Sequence, residues 1–514
     1  MRLPLVWAVL LSAVGLSLAQ PNDFLLSGNP FLALVGWVPL FWALRRTTSN
    51  RAAAGLGALF GLATALLQDY WLAFFRDYAG WTLGGVAVGL ALFGALLGPV
   101  LRVFLQRKAG WRPFAVGALW AVFEYGKGNG FLGFPWGQAP YPFHQWPWFF
   151  QIIDITGLSF LTFLIVSWNA WLAEALEPDF GEFRRSTGLF FAVALVGLAG
   201  YGTWKLNEPR PSRGSAQLAL VQQNGDPWDS GDDLGPLQAA VKQSREALRV
   251  ANPDLVVWSE TSLRFTLQFY RPYFERNPWD SPLLKVVRSN RAWWLFGNPY
   301  AQDYPKETGY VNATVLMNPA TQIVDYYGKI QQVPFAEYIP FWNVPAVKAL
   351  FQNLVGLQGS WDLGRQWTVF HVPVLGKAKS MAFATPICFE DAFPWVDATM
   401  VRAGAEVLIN LTNDSWSRRD SSEMQHHVAA LFRSVENRVY LVRSTNAGIT
   451  SVIDPWGRIA AGPLPTFQPG HLIFDLPLAR NRVLTPYTLF GDWLVAVFAL
   501  ALVGNLVWML RRKP

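Results

Sequence analysis

Thr385-Pro386-Ile387-Cys388-Phe389-Glu390 is the stretch from which the rest of the chain can be read. Cys388 is the one cysteine in 514 residues. The apolar run Met381-Ala382-Phe383-Ala384 before it reads as the end of a buried strand. Glu390-Asp391 follow, and then a segment of helical character from Phe393 to Ala403. Strand, sharp turn and helix is a setting that forces a nucleophilic side chain outward. A thiol there becomes useful only where a partner makes it a thiolate. On this stretch alone a small buried hydrophobe is an equal reading, since that is the usual fate of a free cysteine.

Composition places much of the chain in a bilayer. Hydrophobic residues are 52% and charged residues 15%, well below the roughly 25% charge of soluble domains. Apolar runs fall at about 3–19, 30–44, 52–75, 80–105, 113–125, 152–176, 187–206 and 493–510, most near the ~20 residues that span a membrane. The first, with Arg2 before it and Ser17-Leu18-Ala19 near its end, has a signal-peptide look but is read as a retained helix. Basic residues sit in alternate loops: Arg45, Arg46 and Arg51; Arg102, Arg107, Lys108 and Arg112; Arg184 and Arg185; Arg511, Arg512 and Lys513. That alternation requires eight spans with both ends in the cytoplasm. The net charge of +7 is thus an orientation signal, and no nucleic-acid partner is expected. The expected organisation is a membrane domain over 1–206, an outer domain over 207–490 and a last transmembrane helix over 491–514.

Glycines four apart at Gly57/Gly61, Gly85/Gly89 and Gly94/Gly98 predict close helix packing. Glu124, near the end of the fifth run, is a site candidate as an ionisable group at that depth, with a local ion pair to Lys127 that fixes the helix end as the milder and preferred reading. One cysteine allows no intramolecular disulfide, and the five histidines have no metal-ligand spacing, so no metal is expected.

From Ser215 the texture changes. Short β-type runs appear at 216–221, 255–258, 292–296, 314–317, 323–327, 368–372, 407–411, 440–442 and 451–453, with helical patterns at 237–250 and 424–437. This predicts one large α/β domain. Glu260 in Trp258-Ser259-Glu260-Thr261 and Lys329 after Tyr326-Tyr327-Gly328 each follow an apolar strand, as Cys388 does. Functional groups of α/β folds stand beyond strand C-terminal ends. A carboxylate can take the thiol proton, and an ammonium can stabilise the thiolate and then an oxyanion.

In this order and spacing, Glu260, Lys329 and Cys388 resemble the nitrilase (carbon–nitrogen hydrolase) superfamily. Eight spans around such a domain resemble the apolipoprotein N-acyltransferases. Matching pieces include Gly133-Phe134-Pro135-Trp136, Val333-Pro334-Phe335-Ala336-Glu337-Tyr338-Ile339-Pro340, Asn413-Asp414-Ser415-Trp416 and Thr445-Asn446-Ala447-Gly448. The resemblance implies a polytopic helical membrane bundle plus an extracytoplasmic αββα sandwich, in a bacterial inner membrane with the catalytic domain on the periplasmic side. It implies transfer of an acyl chain from a phospholipid, phosphatidylethanolamine, to Cys388 as a thioester. The α-amine of the diacylglyceryl-cysteine of an apolipoprotein then attacks. Glu260 is the implied base; Lys329, with backbone donors after Cys388, is the oxyanion holder. Glu337 and Glu390 match supporting positions, and Phe389, Trp228, Trp416, Phe341 and Trp342 are the implied substrate-binding or supporting residues. No cofactor is implied, and a monomer among membrane lipids is expected. Three departures stand out: Phe389 where the family often has Tyr, Lys127 where it has Arg, and no Phe-Gly after Trp416.

Residues 338–361 are apolar with little charge, and 347, 350, 351, 354 and 355 fall at helical spacing. They predict an arm touching the outer leaflet or gating the site, against a plain core helix. Two rivals share parts of the pattern: a membrane-tethered nitrilase-type amidase, and a transporter or lipid-binding scaffold with an inert outer domain.

Overall fold

The computed structural model describes residues 3–107, 110–176, 184–226, 234–276, 282–356, 359–376 and 378–511. The chain forms two compact units. One comprises Met1–Glu208, Arg419–Ala429 and Phe490–Pro514; the other comprises Pro209–Arg418 and Ala430–Leu489.

The first unit is helical. Among the described residues four helices are long and apolar enough to cross a bilayer: Asn50–Gln68, Arg76–Leu105, Leu158–Ala175 and Arg185–Leu206. Leu3–Ala19, Pro30–Arg45 and Trp493–Val507 are apolar but shorter. The apolar run at 30–44 is not one continuous helix. It breaks between Pro30–Ala33 and Val38–Arg45, where backbone groups need partners that hydrocarbon cannot supply. Asn169 supplies them: its Oδ1 accepts from Trp37 N (3.1 Å) and its Nδ2 donates to Ala33 O (3.0 Å).

The glycine prediction divides. A Cβ at Gly57 or Gly61 would run into the carbonyl oxygens of Gly94 and Leu90, and one at Gly98 into that of Ala53. These glycines let two helices cross backbone to backbone. Gly85 and Gly89 have open space around them and do no such work. The expected Glu124–Lys127 pair is also corrected. Glu124 accepts from Trp120 Nε1 (3.2 Å), Ala139 N (3.0 Å) and Thr162 Oγ1 (2.7 Å), while Lys127 Nζ donates to Trp136 O (2.6 Å). A neutral donor set and a backbone carbonyl satisfy each ion without contact between them.

The segment Arg419–Ala429 packs within this helical unit. Gln425 Nε2 donates to Pro21 O (2.8 Å) and Gln68 O (3.0 Å), and its Oε1 accepts from Trp71 Nε1 (2.9 Å).

The second unit carries twelve strands: β1 (Ser212–Gln222), β2 (Leu255–Val257), β3 (Trp293–Ala301), β4 (Tyr310–Met317), β5 (Ile323–Gly328), β6 (Phe370–Pro373), β7 (Ser380–Ala384), β8 (Val407–Thr412), β9 (Tyr440–Thr445), β10 (Ser451–Ile453), β11 (Ile459–Ala461) and β12 (Gly470–Ala479). They form two six-stranded sheets, ordered β12-β1-β2-β3-β4-β5 and β11-β10-β9-β8-β7-β6. The pairs β1–β2, β2–β3, β7–β8 and β8–β9 are parallel, so both sheets have their buried, aliphatic strands near the middle. Against the first sheet packs the helix Leu234–Val250, through Leu237, Ala240 and Val241, with Val256, Trp258, Trp294 and Phe296 in the same core. The two-sheet α/β architecture agrees with the fold the sequence resemblance implied. Two strands, β11 and β12, were not among the expected ones, and β4 begins four residues before the run at 314–317.

Candidate active site

Cys388 ends the path that the opening stretch predicted. It follows β7, opens a 3₁₀ turn over Cys388–Ala392, and precedes the helix Pro394–Ala403. Its φ is +52°, a left-handed conformation rare for a side-chain-bearing residue and common at strained functional turns. The turn is held from below. Asn410, in β8, donates from Nδ2 to Pro386 O (3.1 Å) and to Cys388 O (3.0 Å).

Glu260 stands three residues beyond the end of β2 and is buried. Gly297 in β3 makes room for it. A Cβ there would come within 2.6 Å of Glu260 Cα, so only glycine lets the two backbones pass. Lys329 directly follows β5 and is fully buried. Its backbone N–H donates to Asn312 O in β4 (2.8 Å).

The side chains converge. Lys329 Nζ lies 2.8 Å from Glu337 Oε1 and 3.7 Å from Glu260 Oε1. Glu260 Oε1 accepts from Asn312 Nδ2 (2.7 Å) and its Oε2 from Asn413 N, just past β8 (2.8 Å). Glu337 Oε1 also accepts from Asn312 Nδ2 (3.2 Å), and its Oε2 from Val333 N (2.8 Å). Cys388 is half-buried and within electrostatic reach of Glu260, Lys329, Asp414 and Glu337.

The charges follow from that placement. Burial pushes the Cys388 thiol well above its ordinary range; Glu260 adds to this, Lys329 opposes it, and Asp414 and Glu337 add again. The resting sulfur is therefore a thiol, and its proton needs an acceptor. Burial raises Glu260 above the usual carboxylate range, while Lys329 and the donors Asn312 and Asn413 pull it back and Glu337 raises it. Burial by itself would lower the Lys329 ammonium, but Glu337, Cys388 and Glu260 reverse this and raise it, so it stays charged.

Glu390 works on the backbone. Its Oε1 accepts from Tyr327 OH (3.0 Å), Ile330 N (2.8 Å) and Gln331 N (2.9 Å), and its Oε2 from Ile387 N (2.8 Å). One carboxylate thus ties the segment after Lys329 to the residue before Cys388. Burial pushes Glu390 up to about 7, against the pull of the Ile387, Gln331 and Ile330 N–H groups and of Lys329.

The other expected site residues are spread more widely. Phe389 is buried, with its ring edge-on to Phe393 at 4.7 Å. Trp416 is 38% exposed and Phe341 is 73% exposed, at φ +60°. Trp342 is half-buried beside Lys348, whose Nζ is 5.9 Å from its ring. Trp228 lies outside the described residues. The Asn413–Trp416 and Thr445–Gly448 motifs do meet: Asn446 Nδ2 donates to Asn413 Oδ1 (2.9 Å) and Ser415 Oγ (2.9 Å). This braces the segment whose backbone N–H holds Glu260.

Two contributors were missed from the sequence, Asn312 and the Asn413 backbone amide. The signal for Asn312 was available: an asparagine in Tyr310-Val311-Asn312-Ala313-Thr314, a residue depleted from strands, inside an otherwise apolar one. A backbone N–H leaves no trace in residue identity. Among the described residues no cluster of His, Cys, Asp and Glu has the form of a metal site.

Comparison with known proteins divides the chain in the same way. Residues 12–171 match the model of the apolipoprotein N-acyltransferase N-terminal domain, and residues 217–484 match that of the carbon-nitrogen hydrolases. Apolipoprotein N-acyltransferase 2 of Treponema denticola is 36% identical over 98% of this chain and 97% of its own length. The apolipoprotein N-acyltransferase of Borreliella burgdorferi is 30% identical over 95% of this chain and 92% of its own. Among solved structures, an amidase from Nesterenkonia sp. aligns with 52% of this chain and 93% of its own at 17% identity and TM-score 0.36. Nit3 of Saccharomyces cerevisiae aligns with 52% and 93% at 18% identity and TM-score 0.37.

Proposed function

Since the chain belongs to the apolipoprotein N-acyltransferase family, we propose that its acyl transfer to lipoproteins runs through a thioester on Cys388, with Glu260 as the base and Lys329 as the cationic oxyanion partner. The observation that carries this reading is the meeting of Lys329, Glu260 and Glu337 at 2.8 and 3.7 Å within electrostatic reach of Cys388.

The reaction has two halves. In the first, Glu260 takes the Cys388 proton while the sulfur attacks an ester carbonyl of a phospholipid, phosphatidylethanolamine. Negative charge on the carbonyl oxygen is met by Lys329. The ester C–O bond breaks, Glu260 returns its proton to the departing alcohol oxygen, and a lysophospholipid leaves. In the second, the α-amine of the acceptor's diacylglyceryl-cysteine attacks the thioester. Glu260 takes a proton from the amine, the C–S bond breaks, and the thiolate regains a proton as the amide forms. The lysine stays paired with Glu337 even while Glu260 carries the proton, and neither half needs a cofactor. The acceptor is a diacylglyceryl apolipoprotein, and the protein works as a monomer.

The setting belongs to the same reading. Eight apolar runs and alternating basic loops support eight spans, with residues 207–490 on the periplasmic side of a bacterial inner membrane. The 338–361 arm supports delivery of lipid. In the helix Pro345–Val355 the described side chains are exposed or half-buried, with Leu350 57% exposed, so it is no core helix.

Intact-protein mass spectrometry after incubation with phosphatidylethanolamine tests the first half. The expected result is a mass increase of one acyl group, absent in Cys388→Ser. No acyl adduct, together with hydrolysis of small amides, would return the site to the amidase reading.

A further inference from the structure

The site contains two carboxylates and one ammonium, and the ammonium sits closer to the wrong one for base catalysis. Lys329 Nζ is 2.8 Å from Glu337 but 3.7 Å from Glu260. Something else must keep Glu260 ionised in a buried place. Asn312 is placed for it. It is 7% exposed, in β4, and its backbone carbonyl receives the Lys329 N–H (2.8 Å). Its single side-chain nitrogen reaches both carboxylates, Glu260 at 2.7 Å and Glu337 at 3.2 Å. Two ionised carboxylates accept only, so it is the NH₂ of the amide, and not its C=O, that faces them.

We infer that Asn312 is a positioning residue of the acyl transfer: it donates one amide hydrogen to each carboxylate, which leaves the Lys329 ammonium on Glu337 and holds Glu260 ionised and aimed as the base. This rests on the reading of Glu260 as base and deepens it. The argument is electrostatic. A donor to the charged form of an acid favours that form. Around Glu260 the other charged and titratable groups are Lys329 from the end of β5, Glu337 from the loop beyond it and Cys388 from the turn after β7, with Asp414 beyond β8 acting on Cys388. The Cys388 thiol is the only neutral donor among these four, and a weak one. Apart from Asn312, the donor to Glu260 is the Asn413 N–H at 2.8 Å. Remove the Asn312 amide and the like charge of Glu337 acts on Glu260 with less to oppose it, so Glu260 protonates at higher pH.

The test uses the full-length protein in detergent with phosphatidylethanolamine, and follows the rate of thioester formation by quenching and intact mass from about pH 5.5 to about pH 9. Asn312→Ala is expected to lower the rate about 10- to 100-fold at neutral pH, the range of a lost hydrogen bond to a charged group. Its acid limb should move to higher pH, with much of the loss recovered at the alkaline end. Asn312→Asp keeps the shape but replaces the donor with a third buried carboxylate; its acid limb should move the same way, with a lowered thermal midpoint. A wild-type acid limb in the variants, whether the rate is intact or reduced equally at every pH, would overturn the inference and leave Asn312 a packing residue. Glu260→Gln separates the two readings. Thioester formation at the wild-type rate in that variant would remove the base itself, whatever Asn312 does.

Discussion

The thiol of Cys388 and the ammonium of Lys329 are held in opposite senses by one pair of carboxylates. Glu260 and Glu337 keep the lysine charged and discourage the thiolate. The sulfur therefore stays protonated until a carbonyl arrives, and a thiol oxidises less readily than a thiolate. In the proposed mechanism Lys329 carries a double load: it meets the oxyanion, and it neutralises buried carboxylates. Lys329→Ala should slow thioester formation by about 10²- to 10³-fold, the cost of one oxyanion donor. It should also lower stability by about 3–5 kcal/mol, because it strands a buried charge. Single-turnover mass spectrometry reads the first and thermal unfolding the second; a stable but inactive variant would show that Glu337 is solvated. At this scale Glu260, Lys329 and Cys388 were legible because each follows an apolar strand. Asn312 sits inside a strand instead, where its polar side chain reads as a strand boundary: the expected run starts at Thr314, whereas β4 begins at Tyr310.

Among the elements, the strand that escaped the sequence reading is β12. It pairs along ten positions with β1, from Ser212↔Ala479 to Gln222↔Gly470. Its ten residues, Gly470 to Ala479, include His471, Asp475 and Pro477, and most are half-buried. Proline cannot donate to a ladder, so it argues against a central strand; β12 is an edge strand, where that argument does not apply. Within the 338–361 arm the helix Pro345–Val355 falls where the apolar positions recur at helical spacing with little charge. Phe341 at 73% exposure and Leu350 at 57% are what an interfacial segment presents to lipid. Replacing Phe341 and Trp342 together by serine should lower the thermal midpoint only slightly, since Phe341 is exposed, Trp342 is half-buried and neither lies in the core. Acyl transfer from phosphatidylethanolamine in vesicles should fall several-fold, while thioester formation from a short water-soluble ester should persist. Loss of both reactions along with the fold would assign the segment to the core instead.

For the whole molecule, sidedness is decided by charge and not by fold. Among the described residues four of the apolar runs form helices long enough to span, yet a helix of either orientation has the same coordinates. Orientation comes from the loops: Arg45, Arg46 and Arg51 in one, Arg184 and Arg185 in another, and Arg511, Arg512 and Lys513 at the end. Positive residues in short loops stay in the cytoplasm, and on that rule the proposed orientation has everything between the seventh and eighth runs on the far side. The lone cysteine makes this testable without background, because a Cys388→Ser chain has no other thiol. A cysteine introduced at Thr48, exposed in the first basic loop, should react with a membrane-impermeant maleimide only after the cells are permeabilised. A cysteine at Glu307, exposed in the sheet-bearing unit, should react in intact spheroplasts. Labelling in the reverse order would place Cys388 in the cytoplasm, away from any lipoprotein that has already crossed the membrane, and the acyl-transfer chemistry assigned to it would lose its acceptor.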